Sequence, residues 1–228
     1  MEANSIDNLI QCSVKSGMLY DIAVVVYNLL IKDYTVAKLK SKLWYKYDGV
    51  KWKPVEEGPY YDLSKVVLKE YEDYNNNKIQ ERTTLQQMMT LPTFESDEHE
   101  NKEMLKQIDK ELENLQIILT KLKNVNFKES ICKECLYMFY DSQFFMNLDK
   151  HEHLVCFRNC TYDIISKKIV ESTRDNMLSI YIDIDYNIDT IDIDDNEFED
   201  IIHKYLLFRK NIIKKRRPTN IYRVKLFQ

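Results

Sequence analysis

The chain has 228 residues, of which 44% are hydrophobic and 31% charged, with a formal net charge of -4. That balance builds a buried core and excludes a disordered chain. No apolar run approaches the ~18–20 residues of a membrane span, so no membrane partner is expected.

Glycine narrows the function classes further. Gly17, Gly49 and Gly58 are the only three. A phosphate loop of the GxxxxGK[ST] type and a dinucleotide turn of the GxGxxG type both need glycines at fixed spacing, and neither pattern fits. The GxSxG elbow of serine hydrolases is absent too. No cofactor is expected. Five cysteines, an odd number, point to reduced thiols in a cytosol-like compartment. Glu2 and Asp7 stand where a secretory signal would be basic.

In chain order, residues 18–32 recur apolar at helical spacing through Leu19, Ile22, Val26 and Leu29. A strand is expected from Val36 to Tyr47, reversing at Asp48-Gly49 into Val50–Lys53. Asp-Gly between β-rich flanks marks a two-residue hairpin. Asp62 is the expected cap of a helix from Leu63, with Asn75–Asn77 a candidate interruption. Residues 90–100 read as a loop. In the next helix, 98–123, Ile108, Leu112, Leu115, Leu119 and Leu122 space as a short coiled coil or as an ordinary packed face. A helix follows over 127–147, then strands at 154–157, 162–165 and 178–184, an acidic loop over 185–195 and a last helix over 196–214. Pro218 stops that helix, and 221–226 reads as a strand or tail. No internal repeat is visible.

The fold class expected is α+β, mainly helical, with a β-hairpin at about 36–53 and a second small antiparallel sheet at about 154–184. One domain over 1–228 is expected, with two lobes, 1–90 and 98–214, as the alternative.

Side chains alternate along a strand. Lys38, Lys40, Lys42, Trp44 and Lys46 would therefore share one face, joined across the turn by Lys51 opposite Lys46 and Lys53 opposite Trp44. Tyr45 would face Trp52, and Tyr47 would face Val50. Like charges placed opposite each other repel, and a polyanion would relieve them. Lysines with one aromatic for stacking form the pattern of sequence-tolerant single-strand binding. The plain alternative is an edge strand whose lysines block aggregation.

Three other constellations carry weaker chemistry. Cys132, Cys135, His151, His153, Cys156 and Cys160 have metal-ligand chemistry, but Cys132 and Cys135 lie in a helical pattern where structural zinc prefers a turn. Asp183 and Asp185, at i and i+2, suit joint Mg²⁺ binding for nucleotidyl transfer, or are a solvated acidic edge. Lys214-Lys215-Arg216-Arg217-Pro218 reads as a localisation patch, a phosphate contact or a solvated helix end. Charge is strongly segregated here. Asp183–Asp200 holds nine acids and no Lys or Arg, and Lys204–Lys225 nine bases and no acid.

Several stretches, in order, resemble one family. They are Lys40–Tyr47 with Lys51-Trp52-Lys53, then Ile131–Cys135 with Phe139-Tyr140, then Leu148-Asp149 running through Phe157-Arg158-Asn159-Cys160-Thr161-Tyr162-Asp163, and later Arg174-Asp175 and Asp185-Tyr186. The family is the primase–helicase of nucleocytoplasmic large DNA viruses, of poxvirus type, in the region preceding the superfamily III helicase ATPase. The resemblance covers about residues 20–210. It departs at Cys160, where the family has glycine, so this turn must relax or strain. The family's ATPase and upstream primase segments are not expected within these 228 residues. What the resemblance implies is viral DNA replication within a hexameric helicase, with no catalytic residue in this segment. Single-stranded or forked DNA, helicase or primase subunits, or further copies of the chain would be the partners. The host cytoplasm, in a viral replication factory, would be the location, with the nucleus as the alternative.

Overall fold

The structure, a computed structural model, describes residues 6–90, 98–186, 195–215 and 223–224. In chain order the elements are α1 (Ile6–Ser16), α2 (Leu19–Leu30), β1 (Tyr34–Lys38), β2 (Leu43–Tyr47) and β3 (Trp52–Val55). Then come α3 (Tyr60–Asp62), a π-helical turn (Leu63–Val67), α4 (Leu68–Met89), α5 (Glu98–Leu122) and α6 (Val125–Met138). The last are α7 (Phe144–Asn147), β4 (Leu154–Cys156), β5 (Thr161–Asp163), β6 (Lys168–Val170), β7 (Tyr181–Ile182), α8 (Asp195–Lys215) and β8 (Arg223–Val224). The fold is α+β and mostly helical, with two small three-stranded antiparallel sheets.

The chain forms two compact units, each assembled from two stretches. The first takes Met1–Ile31 with Pro59–Met138, and the second takes Lys32–Gly58 with Phe139–Gln228. α4 and α5, on either side of residues 91–97, both belong to the first unit, and residues 91–97 lie outside the described residues.

The first unit is helical. α2 buries Ile22, Ala23, Val25, Val26 and Leu30. Its β-branched residues are mediocre helix formers by a few tenths of a kcal/mol each, but burying each contributes about 1.5–3 kcal/mol, so packing decides. The sequence pattern missed α1. This helix stops at Gly17, whose φ of +64° closes the turn as its N–H donates to the Ser13 carbonyl. Ser13 Oγ donates to the Ile10 carbonyl, so the buried Tyr71 hydroxyl, 2.7 Å away, donates to Ser13 Oγ.

Asp62 does not cap the next helix. The helix begins two residues earlier, and Asp62 makes no side-chain cap bond. Asn75–Asn77 does not interrupt α4 either, because Asn75 is buried and accepts from Gln116 Nε2 on α5. On α5, Ile108, Leu115, Ile118, Leu119 and Leu122 are buried and α5 packs on α1, α4 and α6. The leucine spacing is thus an ordinary packed face.

The expected helix over 127–147 ends at Met138. The Phe139 carbonyl accepts from the Val36 amide, and the Asp141 amide donates to the Val36 carbonyl, which docks this stretch on the edge of β1. Competition from that sheet edge ends the helix.

The second unit holds the sheets. The run expected as one strand from Val36 reverses over 39–42, where Lys42 takes φ +48° and its amide donates to the Leu39 carbonyl. The result is a β1–β2–β3 meander. Between β2 and β3 the connection is four residues long, not two. Asp48 Oδ1 accepts the amides of Val50 and Lys51, and the Asp48 amide donates to the Lys51 carbonyl. The register therefore differs from the expected one: Tyr47 pairs with Trp52, Lys46 with Lys53, Tyr45 with Pro54 and Trp44 with Val55.

In the second sheet β6 is a strand the sequence pattern missed. The 178–184 segment is not in that sheet: only Tyr181–Ile182 is strand, and it pairs in parallel with β8. A core of Val155, Phe157, Ile180, Ile182, Ile201 and Tyr205 joins this segment to α8.

Candidate nucleic-acid interface

The seven residues expected to form one basic face are dispersed. A bulge between Val36 and Lys38 sets Lys38 opposite Leu43. That one-residue slip turns Lys38 to the other side of the sheet, where its Nζ lies 4.9 Å from the Phe145 ring centroid. Lys40 and Lys42 are exposed in the β1–β2 turn rather than on a strand. Lys46 does oppose Lys53, yet each has a local partner. Lys46 Nζ lies 5.0 Å from the Tyr34 centroid, and Lys53 Nζ lies 2.6 Å from Asp48 Oδ2. Burial works to raise the Asp48 pKa, but the Lys53 ammonium and the Lys51 and Val50 amides outweigh it and hold the carboxyl below its ordinary value.

Trp44 and Lys51 are buried, at 3% and 1% exposure. Trp44 packs against Tyr34 and Phe139. Gly58 lies against its indole, where an added Cβ would sit 2.7 Å from Cε2. Lys51 Nζ donates to the Arg158 carbonyl at 3.1 Å and lies 4.3 Å from the Tyr181 centroid. Lys51 thus ties the β2–β3 loop to the segment after β4 and to β7.

Asp149 is a second tie that the sequence did not reveal as such. It is fully buried, at φ +62°. Its carboxylate accepts from the Ser179 amide (2.6 Å), the Ser179 hydroxyl (2.6 Å) and the Ile180 amide (3.1 Å). Arg209 on α8, 1% exposed, donates to the Leu154 carbonyl at 2.7 Å. The Tyr205 hydroxyl donates to the Ile180 carbonyl at 2.9 Å.

The cysteines and histidines do not converge. Cys135 is buried on α6, 3.9 Å from the Ala23 carbonyl. Burial pushes the Cys156 thiol up to about 12. Among the described residues, no group of three or more His, Cys, Asp or Glu is arranged to hold a metal ion. Asp183 and Asp185 share the Arg158 guanidinium, with Nε 3.4 Å from Asp183 Oδ1 and Nη1 3.1 Å from Asp185 Oδ2. Of the basic tract at the end of α8, Arg216, Arg217 and Pro218 lie outside the described residues.

Two clefts remain. One of about 520 Å³ lies between the β5–β6 hairpin and α8, lined by Tyr162, Ile164, Lys167, Phe198, Glu199, Ile202, His203 and Leu206. The other, of about 440 Å³, lies at the α5–α6 corner of the first unit.

Comparison with known proteins places this architecture. A sequence model described as "D5 N terminal like" matches residues 27–206. The chain belongs to the D5 N terminal-like family. It is also 25% identical, over 205 residues, to a candidate helicase of Acanthamoeba polyphaga mimivirus, covering 88% of this chain and 19% of that protein. The chain thus spans about a fifth of that relative. The viral primase–helicase kinship carried by the ordered landmarks holds, and with it a replication-related role.

The family frame makes sense of the landmarks. Leu148 is core and Asp149 is the buried acceptor just described. Asn159 exchanges two bonds with the Tyr186 backbone, as its Nδ2 donates to the carbonyl and its Oδ1 accepts the amide. Cys160, where the family has glycine, is not among the described residues at positive φ, so the turn relaxed rather than strained. No described helix is long and apolar enough to cross a membrane.

Proposed function

We propose that this chain is a non-catalytic domain of a viral primase–helicase that contacts single-stranded DNA beside the replicative helicase. The observation that carries the reading is the family match over residues 27–206, which takes in parts of both units. The name of the mimivirus relative, a helicase, supports the same assignment. In such a machine a flanking domain needs no nucleotide site of its own. Its contribution is to hold the displaced strand through salt-sensitive amine–phosphate contacts or to seat on the hexamer.

The test is direct. The full chain is titrated into a labelled oligo-dT 20-mer at 50 and 200 mM salt, followed by anisotropy, and run by size exclusion with the cognate helicase with and without DNA. Salt-dependent binding supports the reading. Absence of binding to both DNA and helicase would refute it. The second reading, docking on the helicase without DNA contact, predicts co-elution that DNA does not change. The exposed Ile79, Met88 and Met104 on α4 and α5 favour it.

A further inference from the structure

We infer that single-stranded DNA lies on the corner of the first unit built by α3, the π-helical turn, the start of α4 and the α5–α6 junction. This rests on the DNA contact proposed above and moves it away from the meander lysines.

Two features of this corner are not explained by packing. The first is a row at helical spacing. Tyr61, Lys65 and Lys69 are all exposed, Tyr61 to 67%. A π-helical turn takes more residues than an α-turn and is frequent at functional positions. Here it carries the row across Leu63–Val67 without turning it inward. The second is the α5–α6 groove, lined by Thr120, Lys121, Asn124, Asn126, Phe127 and Ser130. It offers one aromatic face, amide and hydroxyl groups and an ammonium, Lys121 Nζ, 5.7 Å from the Phe127 centroid.

The two features join. Lys128 on α6 lies 3.0 Å from Ser64 Oγ and 4.5 Å from the Tyr60 centroid, and Lys123 lies 3.6 Å from Glu72 on α4. Five lysines (65, 69, 121, 123 and 128) thus lie on the elements that build the corner, with Lys128 over the Tyr60 ring and Lys121 beside Phe127. Asp62, Glu70, Glu72, Asp73 and Glu129 are the acids on these stretches, with Asp62 buried and Glu72 engaged by Lys123. Amines set beside accessible rings match a strand whose phosphates are evenly spaced and whose bases stack without sequence preference. The meander lacks this combination, since both its tryptophans, Trp44 and Trp52, are buried.

The experiment compares three variants of the full chain in the oligo-dT titration. Lys65→Glu/Lys69→Glu/Lys121→Glu should weaken binding tenfold or more at 50 mM salt. It should also flatten the salt dependence by about 0.7 log units per log salt for each phosphate that is no longer neutralised. Tyr61→Ala/Phe127→Ala should weaken binding about fivefold or more with the salt slope unchanged. Lys40→Glu/Lys42→Glu should bind within twofold of the wild type. Far-UV circular dichroism checks that each variant is folded. If the wild type binds and the folded triple variant binds equally well, the placement is wrong while the DNA reading stands. A wild type that binds no DNA overturns both. Unchanged DNA affinity with loss of co-elution with the helicase assigns the corner to a protein partner and overturns the inference.

Discussion

Asp149→Ala tests whether the second unit depends on one buried carboxylate. The substitution removes the acceptor for the Ser179 amide, the Ser179 hydroxyl and the Ile180 amide. A buried donor left without a partner costs about 1–3 kcal/mol. Ser179 is partly exposed, and its hydroxyl is free to rotate to another acceptor, so about 3 kcal/mol is expected from the two amides and the hydroxyl together. Asp149 also sits at φ +62°, where Asp is tolerated better than Ala, adding about 1 kcal/mol. The total is about 4 kcal/mol. Asp149→Asn keeps one acceptor oxygen and the tolerance of positive φ, and should cost about 1–2 kcal/mol. Trp44 and Trp52 are the only tryptophans and both lie in the second unit, so urea unfolding followed by tryptophan fluorescence reports that unit. With a slope of about 2 kcal/mol per M, the midpoint should fall by about 2 M for Ala and by less than 1 M for Asn. A shift below 0.5 M for Ala, or equal shifts for the two variants, would refute the argument. Should the Ala variant not fold, the Asn variant still decides it.

Other outcomes follow from the same geometry. Gly58→Ala must place a methyl 2.7–2.8 Å from the Trp44 indole at a backbone φ of +58°; a loss of about 2 kcal/mol or more is expected, with a changed Trp emission maximum as the check. Lys51→Glu buries a carboxylate against the Arg158 carbonyl and the Tyr181 ring and should unfold the second unit, whereas the exposed Lys42→Glu should leave the stability from urea unfolding within about 0.5 kcal/mol of wild type. The Asp48 pKa is lowered below 3.8 in the folded chain. Its contribution is therefore present above about pH 4 and lost as pH falls through the folded value, so Asp48→Asn should flatten the drop in melting temperature between pH 4.5 and 2.5. For Cys156 the shift runs upward, from 9.0 to about 12. Above pH 9 the unfolded chain loses the proton while the folded chain keeps it. Stability should therefore fall between pH 9 and 12, less steeply in Cys156→Ala, with urea midpoints across that range as the measurement.

The helices were legible where an apolar face recurs over three turns or more, as in α2 and α5. Each boundary that moved did so for a reason outside its own stretch. The helix expected to run to 147 stops at Met138 because the edge of β1 offers amide and carbonyl partners to residues 139–141. α4 continues through three asparagines because Gln116, more than forty residues away, bonds the first of them. β6 is three residues long, too short for alternation to register, and β7 finds its partner in β8, at the far end of the chain.

The lysine face shows why a site can be misread when its pattern is read correctly. Alternation assigns a side to each residue only while the strand continues. One four-residue turn with no Gly, Pro or Asn (Leu39–Lys42) and one bulge between Val36 and Lys38 were enough to break the row. The reversal at Asp48 moved the register by two, which preserves the faces. Parity was therefore right for Trp44, Lys46 and Lys53, yet Trp44 is core. Face is a two-valued property that a sequence carries, whereas exposure depends on what else packs there, here Phe139 and Gly58, and for Lys51 the Arg158 carbonyl and Tyr181. The corner lysines had the opposite history. They come from segments more than 50 residues apart, so no window of sequence shows them together, and only the packing of the π-helical turn and α4 against the α5–α6 junction brings them together.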